Sequence, residues 1–439
     1  MANAKDNELL TNCAAGTPTG DLLRAYWQPA ALAAELEGPR PLVPVRLLGE
    51  DLVLFRDDHG RLGLLGRRCS HRGVDLCFGR LENGGLRCPF HGWLYDVHGQ
   101  CLEQPAEPKE STAYRRLVHR SYRCEEHGGI IFAYLGPGTP PAFPAFDCFV
   151  APPEHTFAFK GLWACNWLQA LEVGIDPAHA SYLHRFAEDE SRDRSYGQQF
   201  RADAADTGLP LTKILREHPR PTIRVEDTNF GFRLVTTRAL DERSTHYRIT
   251  NLVFPNAIAI PMSNDMIITQ WHVPIDNVSC YWYSIFTSFK SAVDRETMRQ
   301  QRLQNHTLPD YRPKLNRDNN WGFNSAEQQS QTFTGMGMDI NVHDQWAVES
   351  PGPIFDRTQE HLGKSDVGII RYRKLLHEGI QAVQAEETPS FVFDPSQASQ
   401  VNGPIALDAI GPTEHDTCWQ SQDRERRAMS SWAAPASRG

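Results

Sequence analysis

The chain has 439 residues, of which 40% are hydrophobic and 23% charged, with a formal net charge of −9. At that length a single core gives way to two domains, and the acidic balance excludes a nucleic-acid backbone or an anionic membrane as the principal partner, since both need a basic face. No run of about 18 apolar residues occurs, the polar stretch Met1–Leu10 lacks a secretory core, and ten cysteines are scattered over the whole chain, so the expectation is a cytoplasmic protein with no membrane span and no disulfide scaffold.

In chain order, residues 8–27 carry a short helical pattern, with Gly16-Thr17-Pro18 as a start signal ahead of Leu22, Leu23 and Tyr26. Leu42–Leu48, Leu52–Phe55, Leu62–Leu65, Leu94–Asp96 and Ile130–Tyr134 read as short strands separated by turns such as Asp58-His59-Gly60 and Asn83-Gly84-Gly85. Gly136-Pro137-Gly138-Thr139-Pro140-Pro141 breaks this pattern and marks a linker. Beyond it, Asn166 to Phe186 is expected to be helical, and residues 247–255, 257–262, 266–274 and 280–289 to be successive antiparallel strands. Residues 366–385 give the clearest helix, capped by Ser365 or Asp366, with Val367, Ile370, Leu375, Leu376, Ile380 and Val383 on its apolar face. Residues 401–439 read as a loose tail, although Trp419 and Trp432 hint at docking. The expected organisation is an N-terminal helical segment (1–39), an all-β domain (40–148), a domain with an antiparallel sheet covered by helices (149–400), and the tail. The class is α+β.

Two clusters of metal-binding residues stand out. The first is Cys69-Ser70-His71 followed by Cys88-Pro89-Phe90-His91, each half a cysteine and a histidine in one tight loop with glycines (Gly73, Gly79, Gly92) close by. Two thiolates and two imidazoles suit a structural zinc. They equally suit a 2Fe-2S cluster in which Cys69 and Cys88 hold one iron while His71 and His91 hold the other. Imidazoles raise the potential of such a cluster to about −150 to +300 mV, against about −400 mV for an all-cysteine one. Cys77, Cys101 and Cys124 read as ordinary thiols.

The second cluster is Asp176-Pro177-Ala178-His179 with His184 five residues on. Two histidines and a carboxylate on one face of a ferrous ion leave positions open for oxygen. The same residues also make a good helix start, with Asp176 as cap and Pro177 at the first position. Five residues is an awkward α-helical interval, about 140° around the axis, so the imidazoles converge only through a distorted turn.

The pattern Cys69–His71 and Cys88–His91, with Pro89, Gly92 and Trp93 alongside, resembles the Rieske motif rather than a zinc finger. Phe90 stands where Rieske proteins of respiratory complexes carry an extra cysteine, which favours the oxygenase type. Trp163 to Arg185 resembles the iron-binding segment of Rieske ring-hydroxylating oxygenases, especially the phthalate dioxygenase-like homotrimeric group. The likeness runs from Gly16-Thr17-Pro18 and Arg24–Trp27 to Pro351–Arg357 and Glu360–Gly363. It implies a Rieske 2Fe-2S cluster on Cys69, His71, Cys88 and His91, and a mononuclear Fe(II) on His179, His184 and a downstream carboxylate. Asp344 sits where the family places that carboxylate, and nothing in the residues alone separates it from Asp339 or Asp356.

By the same likeness, Asp176 bridges His179 to His71 or His91 of a neighbouring subunit, which implies a head-to-tail homotrimer, and Asn166 lies near the iron. A helix cap is an equally good reading of Asn166. The implied partners are O2, an aromatic substrate and an NADH-dependent flavin/iron-sulfur reductase. The implied reaction is cis-dihydroxylation of the ring, with O-demethylation or another monooxygenation as the alternative, and an electron-transfer Rieske protein without mononuclear iron as the rival from another class.

For the substrate, His246 to Phe254 alternates, so His246, Arg248, Thr250, Leu252 and Phe254 share a face, and Arg248 on an apolar pocket wall could pair with a carboxylate. Arg248 and Arg201 are the candidates for that role. Trp271, Trp282 and Phe286 are candidate cavity walls. Pro177 stands where the phthalate enzymes tend to have a small hydroxyl residue, which argues against phthalate itself.

Overall fold

The computed structural model describes residues 3–108, 110–188, 211–414 and 417–433. Two short helices, Ala4–Thr11 and Pro18–Arg24, open the chain, and each is capped by a side chain, Asn3 and Thr17. The single helical stretch expected over 8–27 is thus split at Asn12–Thr17, where the chain turns.

Ten strands follow: β1 (Gln28–Leu32), β2 (Leu42–Leu47), β3 (Glu50–Arg56), β4 (Leu62–Gly66), β5 (Arg80–Glu82), β6 (Gly85–Arg87), β7 (Leu94–Asp96), β8 (Cys101–Glu103), β9 (Ser121–His127) and β10 (Ile130–Tyr134). They form a six-stranded sheet ordered β1-β10-β9-β4-β3-β2 and a four-stranded sheet ordered β5-β6-β7-β8. β1 lies in the segment read as helical from sequence, yet pairs antiparallel with β10. β3 is buried on both faces. Leu52 and Leu54 enter the main core, while Val53 and Phe55 enter a second core that also holds Cys69, Leu86, Cys88, Trp93 and Tyr95. Period-2 alternation therefore makes one strand the wall between the main core and the cluster loops.

The second half is organised by an antiparallel sheet of eight strands: β12 (Thr156–Trp163), β13 (Thr222–Thr228), β14 (Gly231–Ala239), β15 (Ser244–Val253), β16 (Ala257–Pro261), β17 (Met266–Asp276), β18 (Ser279–Ser288) and β22 (Leu407–Pro412). Short pairs complete the strand count: β11 (Ala145–Phe146) with β21 (Asn402–Gly403), and β19 (His306–Thr307) with β20 (Arg312–Pro313). β15 to β18 are the four strands expected from sequence. β14 escaped the sequence reading because it is buried on both faces and carries Arg233, Thr236 and Arg238 inside, so it shows no apolar alternation. The helix Trp167–Gly174 packs on this sheet, Ile340–Glu349 packs on that helix, and Val367–Gln384 packs against Pro18–Arg24 and β13. Val367–Gln384 matches its expected span. Asp366 flanks it without a side-chain bond into the helix and accepts from Gly363 N instead.

The C-terminal segment is not a loose tail. β16 pairs only with Asn251–Val253 of β15, which leaves the first half of that strand edge open, and β22 fills it at Ser244–Ile249. The helix Cys418–Met429 then buries Trp419 against Val235, Tyr247 and Ile249. Arg427 is buried between Asp147 and Asp423, and Trp432 stacks on Phe289 at 5.2 Å. Polar composition hid this because Asp423, Arg426 and Arg427 are buried and paired internally and do not face water. Among the described residues, no helix is long and apolar enough to cross a membrane.

Candidate metal centres and cavity

The two Cys/His loops are built alike. Gly73 N donates to Cys69 O and Cys69 N to Val74 O; in the second loop, Gly92 N donates to Cys88 O and Cys88 N to Trp93 O. Gly73 and Gly92 close these loops at φ of 71° and 75°, a conformation that other residues resist. The loops face one another, with His71 and His91 ring centroids 4.5 Å apart and Trp93 stacked flat on His71. His91 Nδ1 is buried without a hydrogen-bond partner, the state expected of an imidazole nitrogen shaped to hold metal.

A single zinc requires four ligand atoms within about 4 Å of one another. Among the described residues, the only His/Cys/Asp/Glu group of three or more with ligand atoms within 4.8 Å lies elsewhere. The four residues therefore fit a binuclear cluster better than one ion. Behind them, Tyr95 OH lies 3.2 Å from Cys69 Sγ, and His119 joins Ser70 Oγ at 2.6 Å to Gly66 O at 2.7 Å. A hydrogen bond to a ligand sulfur stabilises the reduced, more negative cluster. Tyr95→Phe is expected to lower the reduction potential by roughly 30–80 mV, the equivalent of one such bond. Redox titration followed by EPR reads this, and an unchanged or raised potential would contradict it.

The group that does converge is His179, His184 and Asp344. The two Nε2 atoms are 3.2 Å apart, and Asp344 Oδ1 is 3.2 Å from His184 Nε2 and 3.8 Å from His179 Nε2. Three lone-pair atoms crowded together are explained by a shared cation, so the residues fit a mononuclear metal. Burial, then the neighbouring His184, pushes the His179 imidazole below its ordinary range, in keeping with a neutral ligand.

Local structure explains the convergence. The helix Trp167–Gly174 stops before Asp176-Pro177, where proline disfavours α geometry in the residue before it. His179–Ser181 is instead a tight 3-10 turn, so the expected helix to Phe186 is broken and the five-residue interval ceases to be a mismatch. Asp344 projects from the helix Ile340–Glu349. Asp339 is that helix's cap, accepting from Asn341 N, and Asp356 accepts from Thr358 N, so tertiary packing singles out Asp344 among the three carboxylates.

Asp176 meets His179 differently from the expectation. His179 Nδ1 contacts the Asp176 backbone carbonyl, not its carboxylate, and Asp176 Oδ1 accepts from Ala178 N. Asn166 is the cap of the Trp167–Gly174 helix. Its oxygen accepts from Leu168 N and its amide donates to the Thr11 and Asn277 carbonyls, so the cap reading holds and its polar atoms are spent on the fold. Arg201 lies outside the described residues.

A cavity of about 130 Å³ adjoins the triad, walled by Ile258, Ile260, Ile268, Trp282 and Phe286, with Arg248, Thr250, Gln270 and Ser284 as polar points. Trp271 lines a separate aromatic pocket with Phe132 and Phe149. Arg248 does face the cavity, but Asp408 already accepts from it at 2.5 Å. Arg238, behind it, donates to Pro177 O and Ser181 Oγ beside His179, and its Nε and Nη1 are buried without partners. Outside the triad, a groove of about 840 Å³ runs past Glu172, Asp176, His179, Tyr182, Phe323 and Phe333. Asp176 and His179 line both spaces. The sequence reading missed His343, which is fully buried beside His184; a lone histidine next to a candidate ligand carries no spacing signal.

Comparison with known proteins shows the family. Residues 26–123 match the Rieske [2Fe-2S] domain and residues 133–431 the family described as LigXa C-terminal domain like. The phthalate 4,5-dioxygenase oxygenase subunit of Pseudomonas putida is 33% identical over 408 residues, 88% of each chain. The 5,5'-dehydrodivanillate O-demethylase oxygenase subunit of Sphingobium sp. is 30% identical over 93% of this chain and 87% of its own. Among solved structures, Pseudomonas putida CBB5 NdmA with caffeine superimposes with a TM-score of 0.58 at 20% identity, covering 86% of this chain and 97% of that one.

Proposed function

This chain belongs to the Rieske non-haem iron oxygenases, and from that premise we propose that it is the oxygenase component that hydroxylates an aromatic acid with electrons relayed from NADH. The family carries a Rieske 2Fe-2S cluster and a mononuclear iron. Cys69, His71, Cys88 and His91 would hold the first, and His179, His184 and Asp344 the second. When bound, the cluster supplies single electrons and the ferrous iron activates O2.

The observation that carries the reading is the triad opening onto a largely apolar cavity with Arg248 and Arg302 on its wall. Ile258, Ile260, Ile268 and Phe286 exclude water and hold a flat ring against the two histidines. Arg248 binds the carboxylate and so orients which edge of the ring is presented. Arg238 stands behind Arg248, and both interact with the carboxylate of Asp408. In Arg248→Gln, kcat/KM for the acid is expected to fall 10–100-fold relative to the matching carboxamide, about 1.5–3 kcal/mol for a charge-assisted bond. An unchanged acid-to-amide ratio would remove Arg248 from this role.

The assembly is a head-to-tail homotrimer. Among the described residues, none lining the groove beside Asp176 comes from the cluster loops of the same chain, which leaves this place open to a neighbour's cluster. Tyr182, Phe323 and Phe333 are exposed around the groove, and Phe90 is exposed at the cluster tip with Arg72 over its ring, so the two surfaces match. Such a contact is heterologous and closes only as a ring. The electron donor is an NADH-dependent flavin/iron-sulfur reductase, and cis-dihydroxylation is the expected outcome. O-demethylation is the second reading, favoured by the similarity to the O-demethylase, and it needs only that a methoxy carbon lie nearest the two histidines.

The test is turnover of a panel of aromatic and methoxylated aromatic acids under ¹⁸O2 with a Rieske-type reductase. Two labels in a diol support dihydroxylation, and one label or released formaldehyde supports the second reading. Oxygen uptake with no oxidised acid in the panel overturns the substrate class.

A further inference from the structure

His343 lies one residue before Asp344 on the helix Ile340–Glu349 and is fully buried. Its Nε2 is 2.9 Å from the Gly337 carbonyl oxygen. A carbonyl oxygen only accepts, so Nε2 carries the proton of the His343 ring and Nδ1 keeps a lone pair. That Nδ1 faces Nδ1 of His184 at 3.4 Å, with the two rings 22° from parallel. Two lone pairs would repel there, so His184 supplies the proton from its own Nδ1. A neutral imidazole has one proton, and His184 Nε2 is therefore left with its lone pair. It is this atom that stands 3.2 Å from both His179 Nε2 and Asp344 Oδ1.

We propose that His343 is a positioning residue: through the chain Gly337 O, His343, His184 it fixes the tautomer and ring orientation that turn His184 Nε2 into the metal site. The two histidines of the triad are held by different means. His179 is oriented by the Asp176 backbone carbonyl, which no side-chain change removes. His184 is oriented by a side chain, so this half of the site depends on the residue chosen at 343. Partners that orient a ligand histidine through its second nitrogen govern metal affinity as well as position.

The inference rests on His184 being an iron ligand, and the test separates the two. Full-length protein is stripped of its mononuclear metal with the cluster retained, then titrated calorimetrically with Co²⁺ alone. His343→Phe keeps a stacking ring but removes Nδ1, and its Kd is expected to rise roughly 10–100-fold. His343→Gln supplies a carbonyl oxygen able to accept the same N–H and is expected to stay within about threefold of native. The cluster's visible spectrum reports that each variant is folded. Native-like binding by His343→Phe, or a loss in His343→Gln as large as in His343→Phe, overturns the proposal. Should His343→Phe not fold, a loss of more than about tenfold in His343→Gln overturns it alone. His184→Ala is the control: native Co²⁺ binding there defeats the ligand reading itself, whereas lost binding there with native binding in His343→Phe defeats only the role of His343.

Discussion

His184→Ala is expected to abolish substrate oxidation while leaving the Rieske cluster in place. The side chain supplies one of three atoms that converge within 4.8 Å, and the remaining pair, His179 and Asp344, cannot retain a divalent ion against dilution. A metal centre contributes several kcal/mol to the barrier, so turnover should fall by about 10³-fold or more. Iron content should drop from about three to about two per chain, since the binuclear site is a separate construction on twin loops between β4 and β7. The visible and EPR spectra of the cluster should be unchanged. Three irons per chain with near-native turnover would show that the triad is not the reaction centre.

Asp176→Asn is expected to keep both metal centres and lose the traffic between them. Asparagine retains the oxygen that accepts from Ala178 N, and His179 is held by the backbone carbonyl at 176, so the metal-binding turn should stand. What disappears is the negative charge at the point where the outer groove meets the inner cavity. A hydrogen bond between that carboxylate and a partner subunit's cluster histidine is worth about 1.5–3 kcal/mol, so coupled turnover should fall roughly 10–100-fold. Reduction of the cluster by the reductase should proceed at its native rate. Stopped-flow oxidation of the pre-reduced protein in the presence of substrate separates the two steps. Native oxidation rates in the variant, or a single-chain mass by light scattering for the native protein, would dismiss the bridge between subunits.

The cluster loops were legible because their determinants are local. Each pairs a cysteine and a histidine within four residues, and each closes on a glycine at positive φ. The strands β2 to β4 and β15 to β18 were legible because each is a short run rich in apolar and β-branched residues bounded by turn residues. The metal-binding turn was half legible: the residue types were visible, but an α-helix was the wrong local frame, and the proline at 177 is what broke it. The C-terminal segment was misread because composition reports polarity, not pairing, and Arg427 with Asp147 and Asp423 looks like any solvated surface until the chain is folded.

The sequence alone thus determined the family and its class of fold, and it singled out the residues proposed to hold iron in two settings. Three decisions belonged to tertiary structure. Asp344 is 160 residues from His184, and only the packing of Ile340–Glu349 against Trp167–Gly174 distinguishes it from Asp339 and Asp356, which cap helical turns instead. Asn166 became a cap because Thr11 and Asn277 arrive to take its amide. His343 acquired a part only when the fold set its ring against His184. The physical reason is common to all three: ligand type is a property of a side chain, whereas ligand geometry depends on distances between segments that the order of residues does not contain.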